Sequence, residues 1–294
     1  MKNVALFEST GREDAISCAE FTAKVLLNYD AKCFAEPQLI EKFSDDIKKQ
    51  IKICSKEEFE KYSDFVISFG GDGTMLSAAR SLLHSDVPIM GINVGKLGFL
   101  AEYAANSIEK SIDGIFKGEY RVVNRTVLET KIDNETIYAL NDFVIEKAHS
   151  SHMVTFDGYS NKHYIGTFRA DGMIITTPTG STAYNLSCGG PIIAPSAEVF
   201  CICPIAPHSL TLRPLVIPDG NEITMKIHTT GSEAQFVADG QIVRKLKNND
   251  SVIMKKSNAK IKLIKPLDNS YYSTLRNKLL WAVNTIGYDV KESL

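Results

Sequence analysis

DFVISFGGDGTMLSAARSLLHS, residues 64–85, passes through glycine-rich Gly70–Gly73 from an apolar run into a segment of helical period. The run DFVISFG is typical of a strand covered on both faces. TMLSAARSLLHS has the spacing and composition of a helix. Working outward, NVALFES (3–9) reads as a buried strand, and EDAISCAEFTAKVLLNYD (13–30) follows it with Ile16, Ala19, Phe21, Val25 and Leu26 at helical spacing. AKCFAEP supplies a further strand, EEFEKYS a short helix, and VPIMGINV another buried strand. Strands and helices that alternate in this way predict an α/β domain over residues 1–118, a doubly wound parallel sheet.

From residue 119 the texture changes. RTVLETKIDNETIYALNDFVIEK reads as strands around an IDNET turn, and MVTFDGYSNKHYIGTFRADGMIITTPTG continues the strand–turn rhythm. The segments beginning LTLRPLVIP and AQFVADGQ do the same. An all-β domain over 119–266 follows. Helical period returns in 267–294, where Leu275, Leu279 and Trp281 can share a face, and this segment is expected to pack back on the first domain.

Of the 294 residues 44% are apolar and 23% charged, which leaves little room for long disordered segments. A formal net charge of −2 offers no basic excess for nucleic acid. The N-terminus turns polar after a handful of apolar residues and no run approaches a membrane span, so a cytoplasmic protein without a membrane partner is expected. The six cysteines include no C-x-x-C pair and read as reduced core thiols.

A strand that ends in Gly70, Gly71, Asp72, Gly73 and Thr74 before a helix is a geometry for holding an anion, with phosphate the natural guest. The plainer reading is a tight turn capped by Asp72 or Thr74. A Walker A loop is excluded, because GINVGKLGF has one residue too few between its glycines and Leu97 where a hydroxyl belongs. The dinucleotide fingerprint fails at Leu76. A carboxylate beside phosphate needs its own task. Asp72 could accept a proton from an attacking hydroxyl or hold a magnesium ion that bridges the phosphates.

These residues resemble the NAD kinases, which share Gly-Gly-Asp-Gly-Thr with 6-phosphofructokinases and with diacylglycerol and sphingosine kinases. GINVGKLGFL, LNDFVI (140–145), RADGMIITTPTGSTAYNLSCGGPII (169–193), PIAPHSL and VADGQ single out the NAD kinases and, with the glycine loop, span residues 68 to 241. The resemblance implies phosphorylation of the adenosine ribose 2′-hydroxyl of NAD, giving NADP, with ATP or polyphosphate as donor and Mg2+ as metal. It implies Asp72 as the catalytic residue, Gly70, Gly71, Gly73 and Thr74 on phosphate, and a site in the crevice between the domains. NAD would be held by Gly73, Phe99, Asn141, Asp142, Arg169, Asp171, Thr182, Ala183, Tyr184, Ser187, Ala206 and Gln241. Asp142 stands where the family usually has Glu and shortens the reach by one methylene. A homodimer or homotetramer formed through the β domain is implied as well.

Plainer readings stand beside several of these residues. Tyr184 can be a core aromatic after a proline-glycine turn, Asp171 an acidic turn former, and Arg169 part of a surface ion pair. Phe99 and Leu97 can be core packing rather than a wall over the dinucleotide, and His208 reads as a hydrogen-bonded structural histidine rather than a base. Two other functions share features of the sequence. A lipid kinase has the same phosphate loop but not the PTGSTAYN block, and a silent NADP sensor gains nothing from a carboxylate next to phosphate.

Overall fold

The structure, a computed structural model, describes residues 2–95, 98–148, 152–229 and 233–280, and so leaves Leu97 and Trp281 outside the described residues. The chain forms two compact units, one from the residues up to Met75, Ile89–Val122 and the chain from Ile264, the other from Leu76–Pro88 and Val123–Leu263.

The N-terminal elements are β1 (Asn3–Phe7), α1 (Glu13–Leu27), β2 (Lys32–Ala35), α2 (Pro37–Ile40), α3 (Asp45–Lys48), β3 (Lys52–Ile53), α4 (Phe59–Tyr62), β4 (Phe65–Gly70) and α5 (Asp72–Ser81). They are followed by β5 (Ile89–Asn93), β6 (Tyr103–Ala104) and α6 (Ile108–Lys117). The strands of the first unit run parallel in the order β3-β2-β1-β4-β5, with β6 beside β5. All six residues of β4 are buried, as its unbroken apolar run demands. Helix α1 buries Ile16, Ala19, Val25 and Leu26, but Phe21 is 44% exposed. Thr22 takes the inward position instead, its hydroxyl donating to the Cys18 carbonyl at 2.8 Å. The strand order reverses between β1 and β4. In open parallel sheets ligands bind at the carboxyl ends of the strands flanking such a reversal, and the Gly70–Thr74 loop leaves the sheet there.

The later elements are β7 (Tyr120–Ile132), β8 (Glu135–Ala139), β9 (Asp142–Lys147), β10 (Val154–Ser160), β11 (His163–Ala170), β12 (Gly172–Thr176), α7 (Tyr184–Ser187), β13 (Val199–Ile205), β14 (Leu215–Pro218), β15 (Ile223–His228), β16 (Ala234–Ala238), β17 (Gln241–Leu246), β18 (Ser251–Pro266) and α8 (Tyr271–Leu279). Antiparallel pairing dominates the second unit. One sheet runs β14-β13-β12-β9-β16-β17, and another contains β11-β10-β15-β18. The IDNET turn joins β7 to β8 with Asp133 and Asn134 at φ 49° and 65°, the left-handed geometry that closes a two-residue hairpin. Inward side chains of both sheets fill one core, in which the Phe143 and Phe236 rings lie 5.0 Å apart. The cysteines are free, and burial pushes the Cys201 and Cys203 thiols up to about 12 and about 11.

Candidate active site

Gly70 closes β4 at φ 152°, and a Cβ there would meet the Thr74 hydroxyl oxygen at 2.3 Å. Both facts require glycine at the point where the chain turns from strand to helix. Asp72 is the first residue of α5, but its carboxylate does not stay with its own helix. Its Oδ2 accepts the Phe99 N–H at 2.9 Å, and its Oδ1 accepts the N–H groups of Leu100 at 2.9 Å and Ala101 at 3.3 Å. The carboxylate therefore clamps the loop after β5 to the start of α5, a task that neither the cap reading nor the catalytic reading of the sequence contained.

The clamp is tight. A Cβ on Gly98 would stand 2.0 Å from Asp72 Oδ1, so any side chain there displaces the carboxylate. Leu100 is also held from its carbonyl, which accepts Lys265 Nζ at 2.8 Å. Lys265 is 2% exposed and pairs with Glu102 at 2.6 Å, so this buried ammonium has the partners that burial requires. Phe99 is half-buried, and Lys278 Nζ lies 4.4 Å from its ring centroid and 3.4 Å from Asp72 Oδ2.

The second unit carries a cleft of about 450 Å³ lined by Asn141, Asp142, Ala183 and Tyr184 together with Asp239 and Gly240. Four of the residues expected to hold NAD thus share one concave surface. Tyr184 is 41% exposed in it, which removes the core-aromatic reading. The Thr-Gly-Ser-Thr-Ala-Tyr-Asn block divides by direction. Ser181 and Asn185 are fully buried, the Ser181 hydroxyl donating to the Pro178 carbonyl at 2.7 Å and the Asn185 amide to the Ser181 carbonyl at 3.1 Å. Ala183 and Tyr184 are turned to the cleft by that scaffold.

The remaining candidates are more scattered. Thr182 ends a short 3₁₀ turn, Ser187 is exposed at the end of α7, and Gln241 is exposed at the start of β17. Ala206 is exposed at φ 43°, and Arg169 is exposed on β11. Asp171 pairs with Lys147 at 2.8 Å, a partner that the sequence did not single out. His208 is exposed, and its backbone N–H donates to the Arg169 carbonyl at 2.9 Å.

Asp239 was missed at the sequence level although it sits in the quoted VADGQ. Held at φ 46°, its carboxylate accepts the N–H groups of Leu140 at 2.9 Å, Asn141 at 2.8 Å and Asp142 at 3.2 Å. Asp239 thereby fixes the segment that presents Asn141 and Asp142. A lone Asp-Gly reads as a turn former, and no local signal tells that its carboxylate reaches a strand about a hundred residues away.

Asp142 is 5% exposed, and burial, reinforced by the Asp239 charge, raises its carboxyl to about 7. Burial raises the Asp239 carboxyl as well, but three N–H donors there favour its charge, so the pair keeps its proton on Asp142. The folded protein then holds this proton where the unfolded chain has lost it. The associated stability is complete below about pH 4 and is lost as the pH rises to about 7. Asp142→Asn, which never ionises, is expected to gain on the wild type by roughly 1–4 kcal/mol between pH 4 and pH 8. Urea midpoints compared at the two pH values read the difference, and a constant gap would contradict it.

A glycine-rich loop at the strand-order reversal of a parallel sheet, joined in one chain to an antiparallel unit with a cleft of its own, defines the class: a two-part α/β and β phosphotransferase. Among the described residues no three His, Cys, Asp or Glu side chains are grouped to hold a metal. The profile of the ATP-NAD kinase N-terminal domain matches residues 10–120, and that of the ATP-NAD kinase C-terminal domain matches residues 140–266. The chain belongs to the NAD kinase family, and its activity is that of an NAD kinase. It is 38% identical to the NAD kinase of Thermoanaerobacter sp. (strain X514) over 286 residues, covering 95% of this chain and 99% of that one. It is 35% identical to the NAD kinase of Bacteroides fragilis over 288 residues, covering 96% and 98%. Its fold superposes on yeast NADH kinase complexed with NADH at a TM-score of 0.87, with 23% identity over 97% of this chain and 89% of that one. An NAD kinase from Archaeoglobus fulgidus in complex with ATP gives 0.74, with 23% identity over 94% and 99%.

Proposed function

We propose that the chain moves the terminal phosphoryl group of ATP to the adenosine ribose 2′-hydroxyl of NAD, with Asp72 taking the hydroxyl proton. The observation that carries this reading is the position of Asp72. It stands within the Gly70–Thr74 segment at the strand-order reversal, its carboxylate held by three backbone N–H groups. A base fixed in this way needs no reorganisation when the hydroxyl arrives. The ATP-bound Archaeoglobus fulgidus relative supports ATP as the donor, and the NADH-bound yeast relative supports a nicotinamide dinucleotide as acceptor.

Asn141 and the Asp142 segment would hydrogen-bond the acceptor's hydroxyls, and Tyr184 would lie flat against an apolar part of it. Magnesium fits the residues present: bound with nucleotide phosphates it needs only one or two protein carboxylates, and Asp72 is one beside the loop. Its chemistry there is to neutralise phosphate charge.

The deciding experiment supplies purified protein with magnesium, ATP or polyphosphate, and NAD or NADH, and follows NADP with an NADP-specific dehydrogenase. NADP formed from ATP and NAD supports the reading. No NADP from any of the four combinations would overturn it. Tyr184→Ala is expected to weaken NAD binding by about 1–3 kcal/mol through lost aromatic area, read by titration calorimetry. An unchanged dissociation constant would remove Tyr184 from the site.

No helix among the described residues is long and apolar enough to cross a membrane. A cytoplasmic location and a homodimer or homotetramer are part of the reading, the assembly alone being supported by Leu215 and Val216, which are 41% and 43% exposed on the edge strand β14. Sedimentation velocity of a monomer would remove the oligomer.

A further inference from the structure

We infer that Lys278, on the last turn of α8, is a phosphoryl-positioning residue that is parked on Asp72 in the free protein and transfers to the donor phosphate when ATP is bound. The inference rests on the kinase reading of the Gly70–Thr74 loop. A carboxylate set beside bound phosphate repels it unless a cation lies between them. Lys278 brings such a cation, from a helix about two hundred residues further along the chain.

Its contacts are those of a group able to leave. The ammonium stands 3.4 Å from Asp72 Oδ2, well beyond the roughly 2.7–2.9 Å of a strong charge-assisted bond. Its second partner is the face of Phe99, at 4.4 Å, which holds a cation without fixing its direction. Both the Lys278 and the Asp72 side chains are 30% exposed, so an incoming phosphate can reach the pair. Departure of Lys278 does not free Asp72 to move. Its two oxygens keep the N–H groups of Phe99, Leu100 and Ala101, so the carboxylate stays aimed while Oδ2 gains room for a proton. A lysine ammonium carries further N–H donors on a flexible stem, so a short swing can exchange carboxylate oxygen for phosphoryl oxygen.

The test uses Lys278→Met, which keeps the stem and removes the charge, and Lys278→Arg, which keeps the charge. With Lys278→Met, kcat is expected to fall by about 10–100-fold and the KM for ATP to rise, while the KM for NAD changes less than about twofold. Lys278→Arg should recover at least a tenth of wild-type kcat. The Asp72→Asn, Lys278→Met double variant should bind the ATP analogue more weakly than Asp72→Asn alone, because with ATP bound Lys278 contacts phosphate and not Asp72. Equilibrium binding of a non-hydrolysable ATP analogue, weakened about fivefold or more by Lys278→Met, reads the same contact without turnover. If the wild type makes no NADP, the kinase reading fails while the analogue titration still reports on Lys278. If the wild type is active and Lys278→Met leaves kcat, the KM for ATP and analogue affinity within twofold, Lys278 has no such role. Should Lys278→Met fail to fold, Lys278→Gln takes its place under the same criteria.

Discussion

Asp72→Asn is expected to lower kcat by about 10²–10⁴-fold, the usual contribution of a positioned base. The amide is close in size to the carboxylate, but the structure shows that the exchange is not silent elsewhere. Oδ1 faces the N–H groups of Leu100 and Ala101, and Oδ2 faces the Phe99 N–H and Lys278, so all four neighbours are donors. Whichever way the Asn amide turns, its NH₂ group meets a donor, and stability should fall by about 1–3 kcal/mol. The two effects separate by measurement. A structural clamp alone predicts that turnover recovers on cooling, as the folded loop is restored. Loss of the base predicts that turnover stays low in protein shown by thermal melting to be folded, with NAD affinity little changed because the interaction matters most in the transition state. If Asp72 instead serves to hold magnesium, raising the metal concentration should return part of the activity. A folded, saturated Asp72→Asn protein with wild-type turnover would leave the loop as a phosphate cradle alone.

Asp239→Ala carries the second large effect, expected to be a loss of about 2–5 kcal/mol in stability. The carboxylate now satisfies three backbone N–H groups at the start of β9, and each bond to a charged acceptor contributes roughly 1.5–3 kcal/mol. Alanine also tolerates the left-handed backbone at this position poorly. Relief of the Asp142–Asp239 repulsion offsets part of the loss, which keeps the total below the simple sum. Asp239→Asn, which accepts the left-handed conformation and retains one acceptor oxygen, should fall between the two. Because Asn141 and Asp142 are placed by these bonds, the KM for NAD should rise in both variants in the order of their destabilisation. Chemical denaturation and steady-state kinetics check the two trends. Equal stability of Asp239→Ala and the wild type would remove Asp239 as the anchor.

Much of this protein was legible in the chain itself. Local periodicity is set by neighbours within a few residues, so β4, α5, α1 and the Asp133-Asn134 hairpin followed from short stretches read alone. The motif order from the glycine loop to VADGQ was enough to identify the NAD kinase family, because motifs are properties of sequence. Direction within a motif was not legible. PTGSTAYN looks uniform as a string, yet Ser181 and Asn185 are spent inside on backbone carbonyls while Ala183 and Tyr184 face the cleft. Partnership was not legible either. Phe21 fits a buried helical face by spacing, but Thr22 takes the interior through its hydrogen bond. From the sequence Asp72 reads as a cap, a base or a magnesium holder; the fold adds that its carboxylate clamps residues 99–101, with Lys278 brought to it from α8, and that Asp239, unassigned in the sequence, holds the start of β9. A carboxylate's role is decided by which donors the folded chain brings within about 3 Å. Those donors lie tens to hundreds of residues away, where only tertiary structure can place them.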